Sequence, residues 1–161
     1  MFLKELQAKG AKIVLDSKSF SLEQILELRP WLIKPNQEEI SEYLNCNIDT
    51  FEECVEKAGV FASHGITNVM VSLGEQGAML LNGGNCYIAN APKIDVVSTI
   101  GAGDSSIAGF ITATQQGLSP EQCLATAVSF GSAACTTSGS QPPEKTVTDA
   151  LYAQITAKKI E

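Results

Sequence analysis

Short β-branched and apolar runs alternate with amphipathic stretches along this chain, and that alternation limits its folds more than any other feature. AKIVLD (11–16), WLIK (31–34) and NVMVSL (68–73) each read as a strand with little polar content. Between them, SLEQILEL (21–28) opens with Ser21 and Gln24 at capping-box spacing and stops before Pro30. Residues 37–44 read as a helix, and Thr50 with Glu53 opens another that Gly65 ends. AMLLN (78–82) and CYIAN (86–90) flank Asn-Gly-Gly, a hairpin signal. After KIDVVST a helix is predicted from about Asp104 to Gln116, stopped by Gly117. Ser119-Pro120-Glu121-Gln122 starts the next, with proline at the first helical position. Residues 138–144 read as a loop and a last helix runs from about Thr146. Strands that are apolar on both sides, joined by helices, predict an α/β fold: a mostly parallel sheet with helices on both faces. In such sheets ligands bind beyond the carboxyl ends of the strands, so chemistry is expected in the loops that follow them.

Composition narrows the partners. A length of 161 residues suits one domain, or one domain with part of another. With 44% hydrophobic and 18% charged residues, the chain is neither disordered, collagen-like nor coiled-coil. Eighteen acids against eleven bases give a net charge of -7, which repels phosphate backbones and argues against a nucleic-acid partner. No apolar stretch reaches the ~18 residues of a membrane span, and the opening MFLKELQAKG has no signal-peptide core. The expectation is a cytoplasmic protein with no membrane partner. Cys46, Cys54, Cys86, Cys123 and Cys135 are odd in number and form no CxxC pair, so five reduced, mostly buried thiols are expected. The only histidine, His64, falls at a helix end just before Gly65.

Three loops carry the chemistry. Lys34-Pro35-Asn36-Gln37-Glu38-Glu39 follows the WLIK strand. Asn36 and Glu39 have capping-box spacing, and Asn-x-x-Glu is also a pattern that orients water around magnesium, an ion that keeps most of its hydration. Lys34 at the strand end can neutralise phosphate. The second loop, Ser72-Leu73-Gly74-Glu75-Gln76-Gly77, has two glycines that allow a tight turn or close approach of a nucleotide. The third, Ser98-Thr99-Ile100-Gly101-Ala102-Gly103-Asp104-Ser105, is a glycine-rich run feeding a helix. Backbone N–H groups at a helix start attract anions. Asp104 beside them can accept a hydroxyl proton, the pairing that phosphoryl transfer to an alcohol requires. The run is neither a Walker A loop nor a dinucleotide fingerprint.

Taken in this order, Lys34-Pro35-Asn36-x-x-Glu39, Ser72-Leu73-Gly74-x-x-Gly77 and Ser98-Thr99-Ile100-Gly101-Ala102-Gly103-Asp104-Ser105 resemble the PfkB branch of the ribokinase-like carbohydrate kinases. Within that branch the chain is most similar to the hexose-phosphate kinases. The resemblance implies ATP-dependent phosphorylation of a hexose phosphate, foremost fructose 1-phosphate to fructose 1,6-bisphosphate. Fructose 6-phosphate, tagatose 6-phosphate or a non-catalytic nucleotide-binding fragment are the alternatives. It implies Asp104 as the base that also touches substrate, and Gly101, Ala102 and Gly103 as the anion hole. ATP would be held by Lys34, Asn36, Ser72, Leu73, Gly74, Glu75, Gln76, Gly77, Gly103 and Ser132. Magnesium would sit by Glu39 through water. A monovalent cation such as K+ would take backbone carbonyls of Ser98, Ile100, Ala134, Thr137 and Gly139. Gly131-Ser132-Ala133-Ala134 would lie by the adenine, although small residues there also permit close helix packing. Thr137 stands where some relatives carry asparagine.

The resemblance covers Ala11 to about Gly139 and only the C-terminal half of the family fold. Most of the sugar pocket and the small β lid belong to the other half. The expectation is one partial domain over 1–161: a domain fragment, a truncated frame or half of a split protein, with Met1 inside a helix. A homodimer is expected of the full-length parent.

Overall fold

The computed structural model describes residues 2–139 and 141–160, which fall into two compact units. Of the described residues, the first comprises 2–72 with 80–86, and the second 73–79 with 87–139 and 141–160. In chain order the described elements are α1 (Phe2–Ala8), β1 (Val14–Leu15), α2 (Leu22–Leu28), β2 (Leu32–Ile33), α3 (Gln37–Leu44), α4 (Phe51–Ser63), β3 (Asn68–Ser72), β4 (Ala78–Asn82), β5 (Asn85–Ala89), α5 (Ala102–Gln115), α6 (Pro120–Cys135), α7 (Lys145–Tyr152) and β6 (Ala157–Ile160). The strands hydrogen-bond in the order β1-β2-β3-β4-β5-β6.

In the first unit β1, β2 and β3 run parallel, with Val14 opposite Leu32 and Leu32 opposite Asn68. Leu32, Ile40, Phe61, Val69, Val71 and Leu80 are sealed from solvent. Asn68 is the polar exception in this apolar layer. Its side-chain amide donates to the Trp31 carbonyl at 3.0 Å and its carbonyl accepts from Asn82 at 2.8 Å, so the buried group is satisfied and also ties β3 to its neighbours. Three helices of this unit start on reciprocal capping boxes: Ser21 with Gln24, Asn36 with Glu39 and Thr50 with Glu53. Arg29 and Asn45 end α2 and α3 in left-handed backbone, which frees the chain to turn back into the sheet.

In the second unit α5 and α6 lie against each other at small residues. A Cβ on Gly131 would fall 2.2 Å from Ser106 Oγ, and one on Gly109 would fall 2.9 Å from the Phe130 ring and the Thr126 carbonyl. Ser119 and Gln122 cap α6, with Pro120 in its first turn. The buried Ser129 hydroxyl donates to the Thr148 carbonyl at 2.7 Å and ties α6 to α7. Strand β6 is entered through Asn90, whose side-chain oxygen accepts from the Thr156 amide at 2.7 Å.

The α/β architecture, the capping boxes and the hairpin agree with the expectations; the ends of elements differ. β1 and β2 are two residues each, shorter than 11–16 and 31–34, because only their central residues meet a partner in register. α5 begins at Ala102, not Asp104, since Gly101 supplies the N-cap itself. α7 begins at Lys145, a residue before Thr146. β6 was not anticipated. Met1 and Ser140, the latter in the expected 138–144 loop, lie outside the described residues. All five cysteines are free, with Cys54 and Cys123 buried and the other three half-buried, so the thiols are less enclosed than expected. His64 caps α4, its Nδ1 lying 2.8 Å from the Val60 carbonyl.

Candidate functional site

At the carboxyl ends of β1 and β2 in the first unit, Asp16 and Lys34 follow their strands and meet across them. Lys34 Nζ lies 3.1 Å from Asp16 Oδ2, with side-chain exposures of 12% and 28%. Asn36 lies two residues beyond Lys34, and Glu39 lies in the first turn of α3. Asn36 Oδ1 accepts from the Glu39 amide at 2.8 Å and Glu39 Oε2 accepts from the Asn36 amide at 3.1 Å. Both residues are therefore spent partly on starting α3, and Glu39 Oε1 is the carboxylate oxygen left over. Lys18 Nζ lies 3.8 Å from it and 3.9 Å from Glu42 Oε2. Ser72 joins this group through the backbone, its amide donating to the Pro35 carbonyl at 3.1 Å and Asn36 bridging to it. Tyr43 of α3 donates its hydroxyl to the Ser17 carbonyl. Burial, then the charges of Glu39, Glu42 and Asp16, push that phenol above its ordinary range.

In the second unit Leu73–Gly77 closes as one 3-10 turn over Gly74–Gln76, with the Leu73 amide donating to the Gly77 carbonyl at 2.9 Å. Gly74, Glu75 and Gln76 are exposed. Gly74 has φ +59 with open space around it, whereas Gly77 has φ +105 and its Cβ position lies 2.0 Å from the Ala89 carbonyl oxygen. Gly77 is thus required by the packing of the turn on β5, whereas at Gly74 only the backbone angle favours glycine.

Gly101 has φ +81 and turns the chain into α5. Helices α2, α3, α4 and α6 each close their first turn with a capping box, whereas no side chain caps α5 or α7. In α5 no side chain accepts from the amides at the start of this 14-residue helix, and the Ala102 amide donates to the Thr99 carbonyl at 3.3 Å. Gly101, Ala102 and Gly103 are half-buried there, and Asp104 is exposed in the first turn. Beneath them the Val97 and Ser98 amides both donate to the Cys135 carbonyl, joining this loop to the end of α6. Ile100 is 64% exposed. Ser132 is half-buried on α6 beside Gly131, whose contact with Ser106 supplies the packing reason for the small residues. The Ala134 carbonyl accepts both the amide and the hydroxyl of Thr137, at 3.1 and 2.8 Å. Gly139 is exposed, with φ +63. Among the described residues no three His, Cys, Asp or Glu side chains form a metal cage. Glu39 fits an ion that brings its own water and phosphate ligands, and not a cage metal.

The structure gathers Lys34, Asn36, Glu39 and Ser72 in one unit and Leu73–Gly77, Ser98–Asp104, Ser132, Ala134, Thr137 and Gly139 in the other. Sequence reasoning missed Asp16. The signal was available, since Asp16 ends a strand as Lys34 does, but nothing local linked the two.

Residues 3–147 match the family model described as pfkB family carbohydrate kinase. The chain belongs to this family. It is 32% identical over 161 residues to the 1-phosphofructokinase of Haemophilus influenzae, covering 99% of this chain and 51% of that one. The fold matches phosphofructokinase-2 from Escherichia coli in complex with substrates and products, with a TM-score of 0.85 and 29% identity over 94% of this chain and 52% of the other. It also matches Arabidopsis thaliana ribokinase complexed with ribose and ATP, with a TM-score of 0.81 and 26% identity over 93% and 50% of the two chains. The ribokinase-like fold is therefore that of the pfkB kinases, and the chain spans about half the length of the relatives it matches. No helix among the described residues is long and apolar enough to cross a membrane.

Proposed function

We propose that the chain is the nucleotide-binding and catalytic-loop part of an ATP-dependent sugar-phosphate kinase, and that its acceptor is fructose 1-phosphate, converted to fructose 1,6-bisphosphate. The start of α5 carries this reading, because a glycine-rich turn with no side-chain cap lies beside an exposed carboxylate in the first turn of a 14-residue helix. The identity to a 1-phosphofructokinase supports the choice of sugar.

In this reading Asp104 takes the proton from the attacking sugar hydroxyl. The amides of Gly101, Ala102 and Gly103 would donate to the transferred phosphoryl group at the helix start, the Ala102 amide giving up its bond to the Thr99 carbonyl. The exposed turn from Gly74 to Gln76, with Ser72 and Leu73 before it and Gly77 behind it, holds ATP, and Ser132 contributes at the adenine. Lys34 and Asn36 take phosphate oxygens. Glu39 would hold a water of a bound magnesium ion, whose chemistry would be to neutralise phosphate charge. The K+ reading rests on the backbone carbonyls of Ser98, Ile100, Ala134, Thr137 and Gly139.

A chimaera tests the proposal: this chain joined to the half of the Haemophilus influenzae protein that it does not span. ADP release is measured with fructose 1-phosphate, fructose 6-phosphate and tagatose 6-phosphate. Turnover is expected with fructose 1-phosphate foremost, and Asp104→Asn should lower kcat by about 10²–10⁴-fold with ATP affinity held within a few-fold. Turnover of the Asp104→Asn variant within threefold of the parent would remove the base from the reading.

A further inference from the structure

Asp16 has no place in the chemistry above, yet it is the partner of the most enclosed lysine for which an ion pair is recorded. Lys34 and Glu39 line the same small pocket at the strand ends, together with Asp16, Ser17 and Tyr43. The ammonium of Lys34 thus has two carboxylates within its pocket, and it pairs with Asp16 at 3.1 Å. Glu39 is left to the Asn36 amide and, loosely, to Lys18 at 3.8 Å. Asp16 is itself held in place, since β1 fixes it from one side and the Tyr43 hydroxyl fixes the next carbonyl, that of Ser17.

We infer that Asp16 is a positioning residue: it holds the Lys34 ammonium extended at the strand ends and keeps it from neutralising Glu39. The inference rests on the reading of Lys34 as a phosphate ligand and of Glu39 as the holder of magnesium's water. A lysine side chain has four rotatable bonds, and ordering it costs affinity unless a neighbour has ordered it beforehand. Without Asp16, a mostly buried ammonium turns to the remaining carboxylate in its pocket. That would withdraw the two groups proposed for phosphate and for hydrated magnesium in one step. The opposite possibility is that Asp16 competes with phosphate for Lys34, and it predicts the opposite sign.

The test titrates the 161-residue chain at millimolar concentration with Mg-ATP and, separately, with adenosine, followed by nuclear magnetic resonance. It uses the parent, Lys34→Met, Asp16→Asn, Asp16→Glu and the Asp16→Asn/Lys34→Met double variant. The expected result is that Asp16→Asn weakens Mg-ATP about tenfold, the size of one ordered lysine's rotamer freedom, and leaves adenosine unchanged. Asp16→Glu should recover most of the loss, and the double variant should bind no worse than Lys34→Met alone. Equal or tighter Mg-ATP binding by Asp16→Asn overturns the inference. So does an equal loss for adenosine, which would mark a structural role only. If Lys34→Met leaves the Mg-ATP preference intact, or the parent binds neither ligand, the phosphate reading of this loop fails and takes the inference with it.

Discussion

Gly77 and Gly74 sit in one turn, three positions apart in sequence, and the structure separates their reasons for being glycine. At Gly77 a methyl group would overlap the Ala89 carbonyl oxygen at 2.0 Å, on top of a φ of +105. At Gly74 nothing lies within 4 Å and only the φ of +59 opposes a side chain. Gly77→Ala should therefore cost about 3 kcal/mol, and Gly74→Ala about 1 kcal/mol. Urea denaturation of the two variants checks the order; equal losses would mean that the turn yields at Gly77. The nucleotide reading adds a second distinction. Gly74→Ala should weaken Mg-ATP binding beyond its small effect on folding, because it fills the open side of the turn. The sequence alone could not assign these roles, since both glycines read as permissive positions and the clash at Gly77 depends on a strand whose approach is not written in the turn.

Element by element, legibility follows how local each signal is. Ser21, Asn36, Thr50 and Ser119 announced their helices because a capping box needs only residues three apart. Asn82-Gly83-Gly84 announced the hairpin in the same way. β6 was unreadable because AKKI carries two exposed lysines and too few apolar positions to show a period; it is a strand by virtue of the Asn90–Thr156 junction that leads into it. The start of α5 was misplaced because Gly-Ala-Gly reads as loop, whereas Gly101 is the cap and the next residue is already helical. The same local rule made half of the candidate site legible as spacing, but it could not supply Asp16, which meets Lys34 only through sheet pairing. The α5–α6 contact makes its own prediction. Gly131→Ala should destabilise by about 1–3 kcal/mol by pressing on Ser106 Oγ. Adding Ser106→Ala should return more than half of the loss in a double-mutant cycle. Additive losses would place the strain at the Ala102 carbonyl, 3.2 Å from the same Cβ position.

For the chain as a whole, burial sets the response to alkali. The thiols of Cys54, Cys86, Cys123 and Cys135 are all pushed above their ordinary range by burial. A raised folded value means that the unfolded chain loses these protons first as pH rises. Their contribution to stability is fully present below about pH 8 and is lost as pH climbs through the ordinary thiol range near 8.5 toward the folded values. The melting temperature, measured under reducing conditions, should be level from neutrality to about pH 8 and fall beyond it. A variant with Cys54 and Cys123 both replaced by alanine should show a shallower fall. An unchanged slope would assign the effect to the net charge of -7 growing more negative instead. The contact between Gly131 and Ser106 also reaches beyond stability. A slide of α5 along α6 by one residue, about 1.5 Å, would bring the side chain of Phe130 or Ser132 to where only hydrogen now fits. The two helices mesh like gear teeth with a single setting, and the height of the Gly101–Gly103 amides is set with them. In the proposed reading, charge forming there would meet dipoles aligned when the chain folded, so catalysis at this loop would gain little from induced fit and would tolerate few acceptors of a different reach.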